Sequence, residues 1–72
     1  MTTSREQFAE NLRRFRDLSG LSQEALAEAC DLHRTEISLL ERSKRSPRLE
    51  TIVILSRGLG LSSASELIDG IR

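Results

Sequence analysis

The sequence holds one cysteine, Cys30, one histidine, His33, and one proline, Pro47. A lone cysteine excludes an internal disulfide and a cysteine-based zinc site. A lone histidine without a second ligand gives no metal centre. Long apolar runs are missing as well. The longest is Ile52 to Leu55, far short of the ~20 residues that span a bilayer. The first ten residues carry Arg5, Glu6 and Glu10 and no apolar stretch of the secretory kind. A reducing, cytoplasmic setting is the expectation, with no membrane partner. At 72 residues the chain has room for one domain, residues 1–72, with a small core. It has none for an enzyme-sized cleft. No carboxylate dyad, ligand cluster or nucleophile–base pair stands out, so neither catalysis, nor a cofactor, nor a small-molecule substrate is expected. With 38% hydrophobic and 31% charged residues, the composition is that of a folded globule.

The formal net charge is zero, yet the charges are unevenly placed. Residues 33–48 carry Arg34, Arg42, Lys44, Arg45 and Arg48 against Glu36 and Glu41, a net of +3. Residues 1–32 carry −2 and residues 49–72 carry −1. A central basic stretch is either a solvated loop or an electrostatic footprint for phosphates.

Helical periodicity dominates the chain. Ser4 and Gln7 fit a capping box. Phe8, Leu12 and Phe15 then line one face of a helix over about 5–18, stopped by Gly20. Ser22 is the next N-cap candidate, for a helix over about 23–29 with Leu26 and Ala29 facing the core. Asp31 can take the left-handed backbone of a tight turn. Ile37 and Leu40 restart a helical period over about 34–41. Two short helices joined by a three- to four-residue turn form a helix-turn-helix pattern over about 22–41. Beyond a basic loop, Leu49, Ile52, Leu55 and Leu59 give a fourth helix its core face, with Gly60 as its stop. Ser63 and Glu66 form another capping box, opening a short last helix through Ile68. No segment could pair as a sheet. Cys30 reads as a small buried hydrophobe.

The run from Leu21 to Glu41, with Ser22-Gln23-Glu24 at its start and Ile37-Ser38 and Glu41 at its end, resembles the helix-turn-helix of the phage repressor/Cro family. Lys44 to Pro47, Leu49 to Ile52 and Gly58 to Ser62 extend the likeness to about residues 8–68. His33-Arg34-Thr35, Ile37-Ser38 and Glu41 to Arg45 are similar to small controller proteins of restriction–modification systems. The resemblance implies an all-α fold, a compact five-helix bundle. It also implies a transcriptional regulator that binds double-stranded DNA sequence-specifically as a homodimer, autoregulation included. An antitoxin-like module that grips a partner protein is the alternative. The chain departs from the family at Ser43 and Asp31, where glycine is frequent, and at His33 and Arg48, where a capping serine or threonine is usual.

By this resemblance the second helix of the motif enters the major groove with its first residues on base edges. Arg34 can donate two hydrogen bonds to guanine, and Thr35 can meet a thymine methyl. Glu36 either accepts from a cytosine amino group or is simply solvated. Ser38 and Leu39, one turn on, reach a base or the sugar-phosphate wall. Ser22 and Gln23, at a helix N-terminus, are phosphate donors. Arg42, Ser43, Lys44, Arg45 and Arg48 flank the groove and hold phosphates, Arg45 with a lesser option on a base. His33 caps the helix or holds a phosphate. Arg16 and Glu41 match a pair that ties the first helix to the end of the recognition helix. Ile54 lies about 200° round its helix from Ile52, off the core face. With Leu67, Ile68 and Ile71 it forms the expected dimer patch. A two-fold axis there sets two recognition helices ~34 Å apart on a near-palindromic operator.

Overall fold

A computed structural model describes residues 2–72. Among these residues four α-helices run in order, α1 Ser4–Ser19, α2 Gln23–Cys30, α3 Arg34–Glu41 and α4 Leu49–Gly58, followed by a 3-10 turn at Ala64–Ile68. The expected all-helical fold is present, with a 3-10 turn as its fifth element. α3 packs on α1 and α2, α4 packs on α2 and the 3-10 turn, and that turn packs back on α1. Phe8, Leu12, Leu26, Ala27, Cys30, Ile37, Leu40, Leu55 and Leu67 meet in one core. Ala27 takes the inward place expected of Ala29, which is exposed. Leu49, assigned to the core face of α4, is 73% exposed because it is the first residue of the helix and overhangs the core.

Local chemistry decides where the helices start. α1 begins one residue earlier than its pattern suggested, with Thr3 as N-cap in a capping box with Glu6. Glu6 Oε1 accepts from the Thr3 amide at 2.8 Å, and that bond holds the Glu6 carboxyl below its usual pKa. Gln7, the other candidate, donates instead to Asn11. Ser22 caps α2 through the Ala25 amide, and Ser63 with Glu66 caps the 3-10 turn, both as expected.

All four helices end in the same way. Gly20, Asp31, Ser43 and Gly60 take the left-handed backbone, with φ of 76°, 56°, 61° and 72°. The next residue in each case donates its amide five residues back, Leu21 to Arg16, Leu32 to Ala27, Lys44 to Leu39 and Leu61 to Ser56. This is the Schellman ending, which satisfies carbonyls left over by the helix. Its usual companion is an apolar residue just past the left-handed one. Leu21, Leu32 and Leu61 fill that place and pack on the core. After α3 the place belongs to Lys44, which is exposed.

Ser43 holds a conformation that costs a residue with a Cβ about 1 kcal/mol or more. Ser43→Gly is therefore expected to raise unfolding stability by ~1 kcal/mol, read from a urea titration. A loss of stability in that variant would contradict the strain. Gly58 has the opposite requirement. A Cβ there would lie 2.4 Å from Cys30 Sγ, so its bare backbone is what lets α4 approach α2. Burial in this contact pushes the Cys30 thiol pKa up.

Candidate nucleic-acid interface

α3 turns Ile37, Leu40 and Glu41 inward. Arg34 and Thr35 at its start are exposed, and Glu36, Ser38 and Leu39 are half-buried. Residues four apart stack on a helix, so Arg34 lies in line with Ser38, and Thr35 with Leu39. Four of the five positions expected to face bases thus share the outer side of one helix, while Glu36 stands in line with buried Leu40 at the edge of that face. His33 is the N-cap of α3 but makes no side-chain cap bond. The capping role suggested for it is not observed, and its imidazole is exposed. Arg48, at the start of α4, makes no cap bond either.

Beyond α3 the chain exposes Arg42, Lys44, Arg45 and Arg48. Among the described residues the ion pairs involve only Arg16, with Asp17 and Glu41. None of the five cations of residues 33–48 forms an ion pair with a described residue of the chain. Arg42 folds its Nε back on Ser38 Oγ at 3.2 Å, which leaves its terminal nitrogens free. A groove between α3 and α4 brings Glu36, Arg45, Ser46 and Arg48 together with Leu32, Glu50, Thr51 and Ile54. The Schellman ending explains Lys44. The turn swings the residue to a place where α1, α2 and α4 are each followed by a leucine, and here it delivers charge beside α3.

The inner end of α3 is fixed by a polar hub. Glu41 is 4% exposed, and both its carboxylate oxygens are used. Arg16 donates Nε to Oε2 at 2.5 Å and Nη2 to Oε1 at 3.0 Å. Gln23 Nε2 donates to the same Oε1 at 3.0 Å. Arg13 Nη1 donates to the Glu41 backbone carbonyl. Arg16 Nη1 also reaches the Leu21 carbonyl at 3.0 Å. The bond to Glu41 raises the already high Arg16 pKa, so the guanidinium stays charged. The expected Arg16–Glu41 pair is present and shielded. Gln23, assigned to phosphate, has its side chain committed to Glu41, so what it offers an anion is its backbone amide. Arg13 was not anticipated, since an arginine on an exposed helix face has no sequence mark that tells a cap from a solvated charge.

The four residues assigned to a dimer patch separate in the structure. Leu67 is fully buried in the chain's own core and has no surface to offer a partner. Ile71 is half-buried and packs against that core. Ile68 is 43% exposed and Ile54 36% exposed. Ile54 opens on the groove beside α3. Ile68 and Ile71 border a notch with Phe8, Pro47 and Ile52.

Comparison with known proteins agrees with this geometry. A family profile described as "Helix-turn-helix" matches residues 12–67. The control protein C.SmaI of Serratia marcescens is 47% identical over 58 residues, covering 81% of this chain and 69% of that protein. The crystal structure of the restriction-modification controller protein C.AhdI from Aeromonas hydrophila superposes with a TM-score of 0.84. It shares 35% identity and covers 88% of this chain and 94% of that one. The controller protein C.Esp1396I, solved as a tetramer in complex with its natural 35 base-pair operator, superposes with a TM-score of 0.83. It shares 26% identity and covers 92% of this chain and 87% of that one.

Proposed function

Because the chain belongs to the helix-turn-helix family, we propose that it is a transcriptional regulator that binds an operator in double-stranded DNA as a homodimer. The observation that carries this reading is the run of exposed cations around α3 that form no ion pair among the described residues. The fold supplies Arg16 with a buried carboxylate partner. It leaves Arg34, Arg42, Lys44, Arg45 and Arg48 to an external one. The likeness to control proteins, one of them solved on its operator, supports DNA as that partner.

In this reading α3 lies in the major groove. Arg34 and Thr35 meet base edges first, with Glu36, Ser38 and Leu39 behind them. Arg42, Lys44, Arg45 and Arg48 hold phosphates on the flank, with Ser43 setting the turn that aims them. The amides at the start of α2, at Ser22 and Gln23, offer a further phosphate site, and His33 lies beside the groove wall. Phosphate contacts orient the domain and base contacts choose the sequence. Residues 1–72 act as one DNA-binding unit that works by binding, not catalysis, in the cytoplasm. Ile68, exposed on the 3-10 turn, faces the second copy.

The test uses the salt dependence of duplex binding. Removing one phosphate-binding cation lowers the slope of log K against log salt by about one. Lys44→Ala and Arg42→Ala are each expected to lower that slope by about one unit and to weaken all duplexes alike. A slope unchanged in both variants would remove the basic segment from the interface.

A further inference from the structure

The turn that leaves α3 lacks both of the usual holds. Ser43 stands in the left-handed place where only glycine is free of strain. Lys44, which follows it, is exposed and sets no apolar side chain on the core. The ends of α1 and α4 have both holds, Gly20 with Leu21 and Gly60 with Leu61, and the end of α2 has one, Leu32. Support for the turn after α3 comes from α1. Arg42, Ser43 and Lys44 donate their amides to the carbonyls of Ser38, Leu40 and Leu39. Of the four carbonyls that a helix end leaves over, that of Glu41 remains, and Arg13 Nη1 donates to it. Arg13 precedes Arg16 by three residues, so the two share one side of α1, and α1 packs on α3. Arg16 holds the Glu41 carboxylate. Arg13 holds the backbone of the same residue, just before the turn begins. A guanidinium at a helix C-terminus also meets the negative end of the helix dipole. Arg13 is exposed and forms no ion pair among the described residues, so no carboxylate draws it away.

We propose that Arg13 is the positioning residue of the basic turn: by capping the last carbonyl of α3 from α1, it sets the direction in which Arg42, Lys44 and Arg45 leave the helix toward DNA phosphates. The inference rests on the DNA-binding reading. An arginine suits the task because its long stem spans from one helix to the end of another, and its charge strengthens the bond to the carbonyl. The turn then gains from outside the rigidity that a glycine and a leucine give the other helix ends. The residue in the leucine's place is left free to be a cation.

Two measurements on the full chain test this with Arg13→Met, Lys44→Ala and the double variant, each checked for native helix content by circular dichroism. In the free chain, hydrogen exchange of the Lys44 amide is expected to quicken roughly tenfold in Arg13→Met, the scale of one charge-assisted hydrogen bond. The Leu32 amide, which closes the equivalent turn after α2, is the control and should change far less. Equal quickening at both amides would mean a general loss of stability and would overturn the positioning role. So would an Arg13→Met chain that has lost its helices. The second measurement is binding, well below the melting temperature, to the duplex that the wild-type chain enriches most from a random pool. Its Kd is expected to rise roughly tenfold in Arg13→Met. The double variant should lose less than the product of the two single losses, because both act through one contact. Losses that multiply would make Arg13 a phosphate ligand in its own right and overturn the proposal, as would wild-type affinity in Arg13→Met. A wild-type chain that binds no duplex would overturn the DNA-binding reading and this proposal with it, whatever the exchange rates show.

Discussion

Arg16→Ala is expected to destabilise the fold by about 3–5 kcal/mol, a large share of the stability of a domain this small. The variant strands Glu41, the more deeply buried partner at 4% exposure against 16% for the Arg16 side chain. Gln23 would remain on one oxygen, and no cation would remain on the carboxylate. The bond to the Leu21 carbonyl goes as well, loosening the link between α1 and the turn before α2. For a domain of this size each kcal/mol moves the melting temperature by about 4–8 °C. Thermal melting should therefore show a drop of well over ~10 °C. Glu41→Gln is expected to fall in the same direction by less, since its amide oxygen can still accept from Arg16. Operator binding fails in Arg16→Ala through unfolding, and cooling restores part of it. A melting temperature within two or three degrees of wild type would mean that Arg16 and Glu41 act as independent charges.

Arg34→Ala is expected to lower affinity for the preferred duplex roughly 10- to 100-fold, from the ~1–3 kcal/mol that a bidentate arginine–guanine pair contributes to discrimination. Arg34 is the first residue of α3 and exposed, with no carboxylate partner among the described residues. The end of a recognition helix that meets bases is its N-terminal end. Arg34 makes no cap or core contact, so the melting temperature should hold. The loss should be confined to one base pair per half-site, in contrast to the uniform weakening expected of Lys44→Ala. Competition binding with duplexes substituted at one base pair at a time measures it. Unchanged preference at every position would remove Arg34 from base reading.

Much of this molecule was readable in its residue pattern, because local signals specify local structure. Capping residues, the left-handed stops at Gly20, Asp31 and Gly60, and the spacing of Ile37 and Leu40 gave the helix order and the motif. The same signals missed by one residue at Thr3 and Ser4, where two overlapping boxes compete and the carboxylate of Glu6 wins as a charged acceptor. What pattern could not show were long-range partners of polar side chains. Asn11 looks like a solvated residue until the chain returns to it 56 and 58 residues later. Gln23 has the place and chemistry of a phosphate ligand until Glu41 takes its side-chain amide. The dimer patch failed at Leu67 for a related reason, since a short C-terminal segment can turn one of two neighbouring apolar residues inward.

Selection of bound duplexes from a random pool by the wild-type chain separates a sequence-reading dimer from a non-specific binder. One enriched near-palindrome is expected, its half-sites about one helical turn apart, with a guanine in each half-site that Arg34→Ala no longer selects. A pool that stays random through successive rounds, or a single asymmetric site bound by one copy, would contradict it.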